Sequence, residues 1–411
     1  MSRKHIRFDV LKLVVEHQNQ VFATKDVSED ERMKRAHPEF VNHTHYHAFV
    51  GGALSDHHIA LGIAEFRKSA SRRSRWQKNG LAKPVTAPAA KTSSTAAAAS
   101  QVDVLELGPQ CSKDSPFAAR MRLHQSWYRA KVLRVPYGAG PKPTSTSLYG
   151  NMLTPADGKA GRNFLTPEIA QVASDRVAQG EGAVEPFRLF HNMLSSQPMC
   201  FNLFGPLVND RALACRLLSA ILPEGVAEVK RVVLEWAPQP AKDYLGDRTA
   251  FDAFIEYSAT DGRLCALGIE TKLTEQFSAH EYDGNRYRRW MGVSDAPWRP
   301  EAADKVHAIA HNQLWRDHLL AVALRRQRYS PYPTTRLMLV RHPEDHDCAH
   351  VLAGYCKLLR EGDDSLIDMP LDRLVDAWTA TITAGPHRRW IQEFRVRYLE
   401  LERSLMLRAS E

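Results

Sequence analysis

The stretch LCALGIETKL, residues 264–273, constrains the fold most. Its apolar and β-branched residues read as a buried strand, yet it carries Glu270 and Lys272 two positions apart. Side chains alternate along a strand, so Gly268, Glu270 and Lys272 share one face, and Ile269, Thr271 and Leu273 share the other. Burying either charge costs several kcal/mol unless it is paired or bound. Any fold for this chain must therefore bring partners to that face. The preceding segment TAFDAFIEYS, residues 249–258, also reads as a strand, joined to the first as a hairpin through Asp261-Gly262. In it Asp252 shares a face with Phe254 and Glu256. If the hairpin aligns the two faces, Asp252, Glu270 and Lys272 converge.

The surrounding pattern places this hairpin inside a larger sheet. Residues 210–222 form an amphipathic helix capped by Asn209 or Asp210, and residues 229–236 form a strand. After the hairpin come a long helix over 303–327, a strand over 335–341 and a helix over 348–359. Helix, three strands, helix, strand, helix describes an α/β sandwich whose central sheet mixes antiparallel and parallel pairing. Upstream, Thr166-Pro167-Glu168 has the form of a capped helix start, and the apolar run 187–207 reads as core. The C-terminal segment 387–408 is a basic amphipathic helix, suited either to nucleic acid or a partner subunit, or to packing with a solvated basic face.

The N-terminal part has a different composition. Residues 1–66 form an extension in which the segment 37–58 holds six histidines, at positions 37, 43, 45, 47, 57 and 58. On a strand, His43, His45 and His47 would face one way and suit a zinc ion; the alternative is a polar segment with no metal. Residues 67–83 carry seven basic groups and Trp76, either a phosphate grip with a stacking ring or a solvated linker, and residues 84–100 are low-complexity Ala, Ser, Thr and Pro. The expected organisation is an extension over 1–66, a basic low-complexity linker over 67–114, and a folded domain over 115–411 with its core at about 185–360.

Composition narrows the function classes. The net charge of +8 favours polyanion partners without specifying a fold. Six cysteines without a C-x-x-C pair argue against a disulfide framework or zinc ribbon. No segment approaches the ~20 apolar residues of a membrane span, and the N-terminus is no secretory signal, so a cytoplasmic protein is expected. No G-x-x-x-x-G-K-[ST] loop is present, so any motor belongs to another subunit.

The chemistry of Asp252, Glu270 and Lys272 is that of a metal-dependent hydrolase. Two carboxylates suit a hard divalent cation, Mg2+ with Mn2+ as a substitute, and the Thr271 carbonyl is a candidate further ligand. The cation would acidify a bound water, and the lysine would orient that water and stabilise the transition state. E-x-K spacing is weak by itself, since Glu228-Val229-Lys230 repeats it with Asp210 at the same separation upstream. A solvated strand face with a cross-strand ion pair is the bland alternative. Asp252 with GIETKLTE, set within helix–strand–strand–strand–helix–strand, resembles the PD-(D/E)XK nuclease superfamily over roughly residues 185–360, in a bacterial restriction-endonuclease-like branch. The proline of that name is missing, since Phe251 precedes Asp252. The resemblance implies a restriction-endonuclease-like fold and Mg2+-dependent hydrolysis of DNA. The metal-binding acids then fall on Asp252 and Glu270, and the lysine on Lys272.

Further residues are candidates around this centre. Glu235 ends the strand before Asp252, either as a third carboxylate for the metal or as a surface glutamate. Gln313 and Arg316 share a helix face and could reach the phosphate or the water, and Glu275 is a candidate partner for Lys272. Arg286, Arg288 and Arg289, interleaved with Tyr282, Tyr287 and Trp290, suit the DNA backbone. His307, His311 and His318 read as partly buried histidines rather than ligands. DNA is the expected partner, with a homodimer or a separate motor or methylation subunit as further options. The rivals are a non-catalytic DNA-binding or assembly protein on the same fold, and a histidine-rich metal-binding protein. Removing residues 1–100 separates the latter, because the nuclease reading expects cutting to survive.

Overall fold

The computed structural model describes residues 106–406, except 279 and 303, together with three short strands nearer the N-terminus. The chain divides into two compact units, 1–94 and 95–411. In the first, β1 (Phe22–Ala23), β2 (Ile63–Phe66) and β3 (Arg75–Lys78) form an antiparallel sheet in the order β1-β3-β2.

The second unit opens with α1 (Pro116–Trp127), which runs into a π-helical turn (Tyr128–Leu133), and a small antiparallel pair, β4 (Tyr137–Ala139) and β5 (Leu148–Leu153). Four helices follow: α2 (Pro155–Lys159), α3 (Pro167–Gln179), α4 (Pro186–His191) and α5 (Ser196–Asn209). The Thr166 hydroxyl caps α3 by accepting from Ile169 N, with Pro167 in the first turn, where its missing N–H costs nothing. Next come α6 (Arg211–Ser219), β6 (Val226–Trp236), β7 (Phe251–Ala259), β8 (Leu264–Lys272), α7 (Asn285–Met291), α8 (Asn312–Arg326) and β9 (Thr334–Arg341). The described chain closes with α9 (His346–Cys356), β10 (Leu366–Pro370), α10 (Leu371–Thr381), α11 (Pro386–Tyr398) and a short α12 (Arg403–Met406).

The central sheet has the order β10-β9-β8-β7-β6. β6, β7 and β8 are antiparallel, while β8, β9 and β10 run parallel. Alternation along β8 sends Cys265, Leu267 and Ile269 into the larger core with α5, α6, α10 and α11. Ala266 faces the second core with α7, α8 and α9. This mixed sheet, layered by helices on both faces, is the α/β sandwich expected from the element order and matches the restriction-endonuclease-like fold that the resemblance implies.

Three features differ from the sequence expectation. The long helix begins at Asn312 rather than near 303. The Asn312 side chain instead ties loop backbone together, donating to His307 O at 2.7 Å and Tyr282 O at 3.0 Å and accepting from Tyr282 N at 3.1 Å. Such local bonds compete with helix extension. The sheet also gains a fifth strand, β10, whose five residues end in proline and carry little strand signal. Finally, the C-terminal helix stops at Tyr398, and its Trp390, Ile391 and Phe394 are buried in the larger core.

Gly268 does not leave room for another backbone. A Cβ there would stand 2.5 Å from the ring of Phe251, which is fully buried and stacks 5.9 Å from Trp236. Gly268→Ala should therefore destabilise the protein by roughly 1–3 kcal/mol, measured as a lower denaturation midpoint with an unchanged denaturant slope.

Candidate functional site

β8 carries Glu270 and Lys272 to the end of the sheet, against the N-terminal turn of α8. Lys272 Nζ lies 3.0 Å from Glu270 Oε1. Gln313, at the start of α8, completes a closed triangle: its Nε2 donates to Glu270 Oε1 at 2.7 Å, and its Oε1 accepts from Lys272 Nζ at 3.1 Å. The same Gln313 oxygen accepts from Ser278 N at 3.0 Å. The Phe277 ring covers the ammonium at 4.9 Å. Neither side chain of the pair is solvated, at 7% exposure for Glu270 and 6% for Lys272. The second E-x-K is the reverse case: Glu228 and Lys230 pair on the surface at 59% and 39%, and Asp210 caps α6 through Leu213 N. Burial distinguishes the two copies where spacing could not, and it rules out a solvated strand face for the first.

Asp252 reaches the cluster by a different route from simple alternation. The β7–β8 ladder ends at Ala253–Ile269, so Asp252 stands just beyond the last pair. Phe251 and Phe254 enter the same core, which breaks the period of two at this point. The Asp252 carboxylate turns to Thr271, with Oδ2 accepting from Thr271 N at 2.7 Å and from the Thr271 hydroxyl at 2.6 Å.

Glu235, across from Asp252 on β6, is buried at 3% exposure and is not a surface glutamate. It holds φ +51°, the left-handed region that is costly for a residue with a Cβ. Contacts from distant segments hold it there. Gln197 Nε2 donates to Glu235 Oε1 at 2.6 Å, and Arg176 Nη2 to the Glu235 carbonyl at 2.9 Å. Gly182, itself at φ +80°, passes so close that a Cβ would meet the Glu235 carbonyl oxygen at 1.9 Å. A strained, over-determined acid at a strand end is the kind of residue retained for a site.

Electrostatically the cluster is short of positive charge. Burial pushes the Asp252 carboxyl up to about 7, and the Glu270 charge adds to this against the Thr271 hydrogen bonds. Burial also raises Glu270 to about 7 despite Lys272, and Glu235 to about 8 with Asp252 adding. Burial alone would lower the Lys272 ammonium, but Glu270 and Glu275 outweigh it, and its pKa ends above the ordinary lysine value. Three carboxylates, Glu270 and Glu235 buried and Asp252 partly exposed, thus crowd one end of the sheet; Lys272 offsets Glu270 and Asp252, and Arg176 and Arg188 partly offset Glu235. The ordinary remedy for such an excess is a bound cation.

The donors are all hard oxygens, as Mg2+ prefers. Among the described residues no group of three or more His, Cys, Asp or Glu side chains is placed to hold a metal ion. Mg2+ does not require one, since it keeps several waters and uses one or two carboxylates plus substrate phosphate. The residues present fit that ion.

The remaining candidates fall elsewhere. Arg316 Nη1 donates to Thr249 Oγ1 at 2.9 Å, lies 3.6 Å from Asp247 and stacks on Tyr282 at 4.3 Å. Arg288 pairs with Asp283, Arg286 donates to Gly246 O, and Arg289 donates to the carbonyls of Asp243 and Tyr244. Glu275 caps α5, accepting from Ser196 N at 2.7 Å, rather than bonding Lys272. His318 is a buried core histidine between Tyr355 and Ser365. The N-terminal histidines lie outside the described residues.

Sequence reasoning missed Asp317. It lies one turn beyond Gln313 on α8, is buried, has Oδ2 with no hydrogen-bond partner, and is raised to about 7 by burial against Arg316 and Lys272. The i, i+4 spacing from Gln313 was the available signal. Gln197 and Arg176, which hold Glu235, had none, because their contact is purely tertiary.

A family model of the PD-(D/E)XK nuclease superfamily matches residues 112–400. The chain therefore belongs to the PD-(D/E)XK nuclease superfamily. No curated protein and no solved structure matches it. Among the described residues no helix is long and apolar enough to cross a membrane.

Proposed function

We propose that this protein is a metal-dependent nuclease that hydrolyses DNA phosphodiester bonds. The observation that carries this is the crowding of three carboxylates, Asp252, Glu270 and Glu235, beside the buried Lys272 ammonium. Asp252, Glu270 and the Thr271 carbonyl would hold Mg2+, or Mn2+ in its place, with Glu235 as a third acid. Bound there, the ion supplies neutralisation of the scissile phosphate and a more acidic water.

The chain's own residues do the positioning. Lys272 remains protonated at neutral pH, so it acts as a donor that orients water and phosphate oxygen rather than as a neutral base. Gln313 fixes both members of the Glu270–Lys272 pair through its two amide atoms. Thr271 keeps Asp252 turned toward them.

The test is cleavage of plasmid and linear DNA by the purified protein in Mg2+, Mn2+ or EDTA. Cutting in either metal and none in EDTA is expected. DNA binding with no cutting at any metal concentration would replace this reading with a binding or assembly role on the same fold. Metal binding has an independent readout. At about 100 times its dissociation constant, Mg2+ should stabilise the folded state by about 2.7 kcal/mol, or roughly 5–10 °C in melting temperature. Asp252→Asn should melt higher than the parent without metal, because one of the crowded charges is gone, and should lose the metal-induced rise. An equal rise in the variant would place the ion elsewhere.

A further inference from the structure

A cavity of about 590 Å3 opens at the far end of α8, away from the acidic cluster. Its walls come from the 3-10 turn Ala241–Asp243, the end of α7 and the end of α8, and four of its lining residues are cations: Lys242, Arg289, Arg326 and Arg328. Among the described residues Arg326 is the one of the four with an ion-pair partner, Asp295, and one acid, Asp243, also lines the cavity. Arg289 is oriented by the Asp243 and Tyr244 carbonyls and by the Trp290 ring at 4.4 Å. Lys242 has no ion-pair partner among the described residues, and Arg328 rests only on the Tyr329 ring at 5.2 Å. Cations at a helix C-terminus offset the helix dipole, which accounts for Arg326 and Arg328. It does not account for Lys242 and Arg289, which come from other elements.

We infer that this cavity is a second phosphate-binding subsite for the nucleic-acid backbone, separate from the acidic cluster. The inference rests on the nuclease reading only for the position of the scissile bond. From Gln313 to Arg326 the helix advances about 20 Å at ~1.5 Å per residue. One strand of duplex carries a phosphate every ~3.4 Å, so the cavity stands about six nucleotides from the cutting point. Arg286 and Arg289 also lie one turn apart on the exposed side of α7, whereas Arg316 is nearly buried and paired with Asp247. Tyr329, 76% exposed beside Arg328, offers a ring to an unpaired base, which favours nucleic acid over an acidic peptide.

The experiment is binding of labelled duplex and single-stranded DNA to the full-length protein in EDTA, as a function of salt. The double variant Lys242→Gln/Arg328→Gln is compared with the parent; both residues are exposed and neither belongs to the acidic cluster. Binding at low salt should weaken about tenfold, and the slope of log affinity against log salt should fall in magnitude by about 1.8, at about 0.9 per lost phosphate contact. Arg328→Ala alone, with about half that change in slope, serves if the double variant folds poorly. Unchanged affinity and slope would overturn the subsite, as would a parent protein that binds no DNA. Displacement of a labelled mononucleotide without any effect on DNA would also overturn it, in favour of a small ligand. The two readings fail separately. A lowered slope in a protein that never cuts leaves the subsite and removes the nuclease. A protein that cuts with an unchanged slope does the opposite.

Discussion

Lys272→Ala should cut DNA roughly 10²–10³-fold more slowly than the parent protein in Mg2+. The loss should fall on the turnover rate, since Lys272 is almost wholly buried and contributes little to capturing the polymer. The alanine removes the cation paired with Glu270 and acting on Asp252. It also takes from Gln313 Oε1 one of its two donors, the other being Ser278 N, so Glu270 loses both its partner and part of its orientation. Single-turnover cleavage at saturating DNA checks this, with affinity measured separately in EDTA. Lys272→Arg should recover only part of the rate, because its planar fork keeps the charge but not the compact geometry that fits between Glu270 and Phe277. An alanine variant that cuts at the parental rate would remove Lys272 from the chemistry and leave the acid cluster as a structural feature.

Arg397→Ala should lower stability by roughly 3–5 kcal/mol, about 10 °C in melting temperature for a domain of this size. Arg397 on α11 is completely buried, with no carboxylate partner among the described residues. Its guanidinium donates to Asn163 O at 2.6 Å, Asn163 Oδ1 at 2.5 Å and Gln125 Oε1 at 3.1 Å. It also lies over the rings of Tyr128 at 5.3 Å and Tyr398 at 5.0 Å. Truncation leaves Asn163 Oδ1 and Gln125 Oε1 without donors, while Asn163 O keeps the Asn202 amide, and opens a cavity between α1 and α11. Arg397→Met fills much of the space but supplies no donor, so it should recover part of the loss and no more. Thermal melts of both variants check the order. A basic residue solvated on a helix face would give almost no change, so the size of the effect also decides between a packed and a nucleic-acid-facing C-terminal helix.

The sequence by itself determined the hairpin, the faces of its second strand and the presence of a long helix after it. These are local properties: alternation, a turn at Asp261-Gly262, and helical spacing. The two charges in an apolar strand were legible as a site because burial penalises them wherever the chain goes. What packs over each strand was not legible, and tertiary structure alone decided it. Glu228 and Lys230 remain in water while Glu270 and Lys272 lose theirs, although the two copies share one spacing. Asp252 escapes strict alternation because its ladder has already ended, and Glu235 is bent into the left-handed region by Gln197, Arg176 and Gly182, residues far away in the chain. The fifth strand forms because β9 offers an edge for it to pair with, not because its five residues demand it. Desolvation and pairing depend on neighbours that only the folded chain supplies, which is why the residue types were readable and their electrostatic state was not.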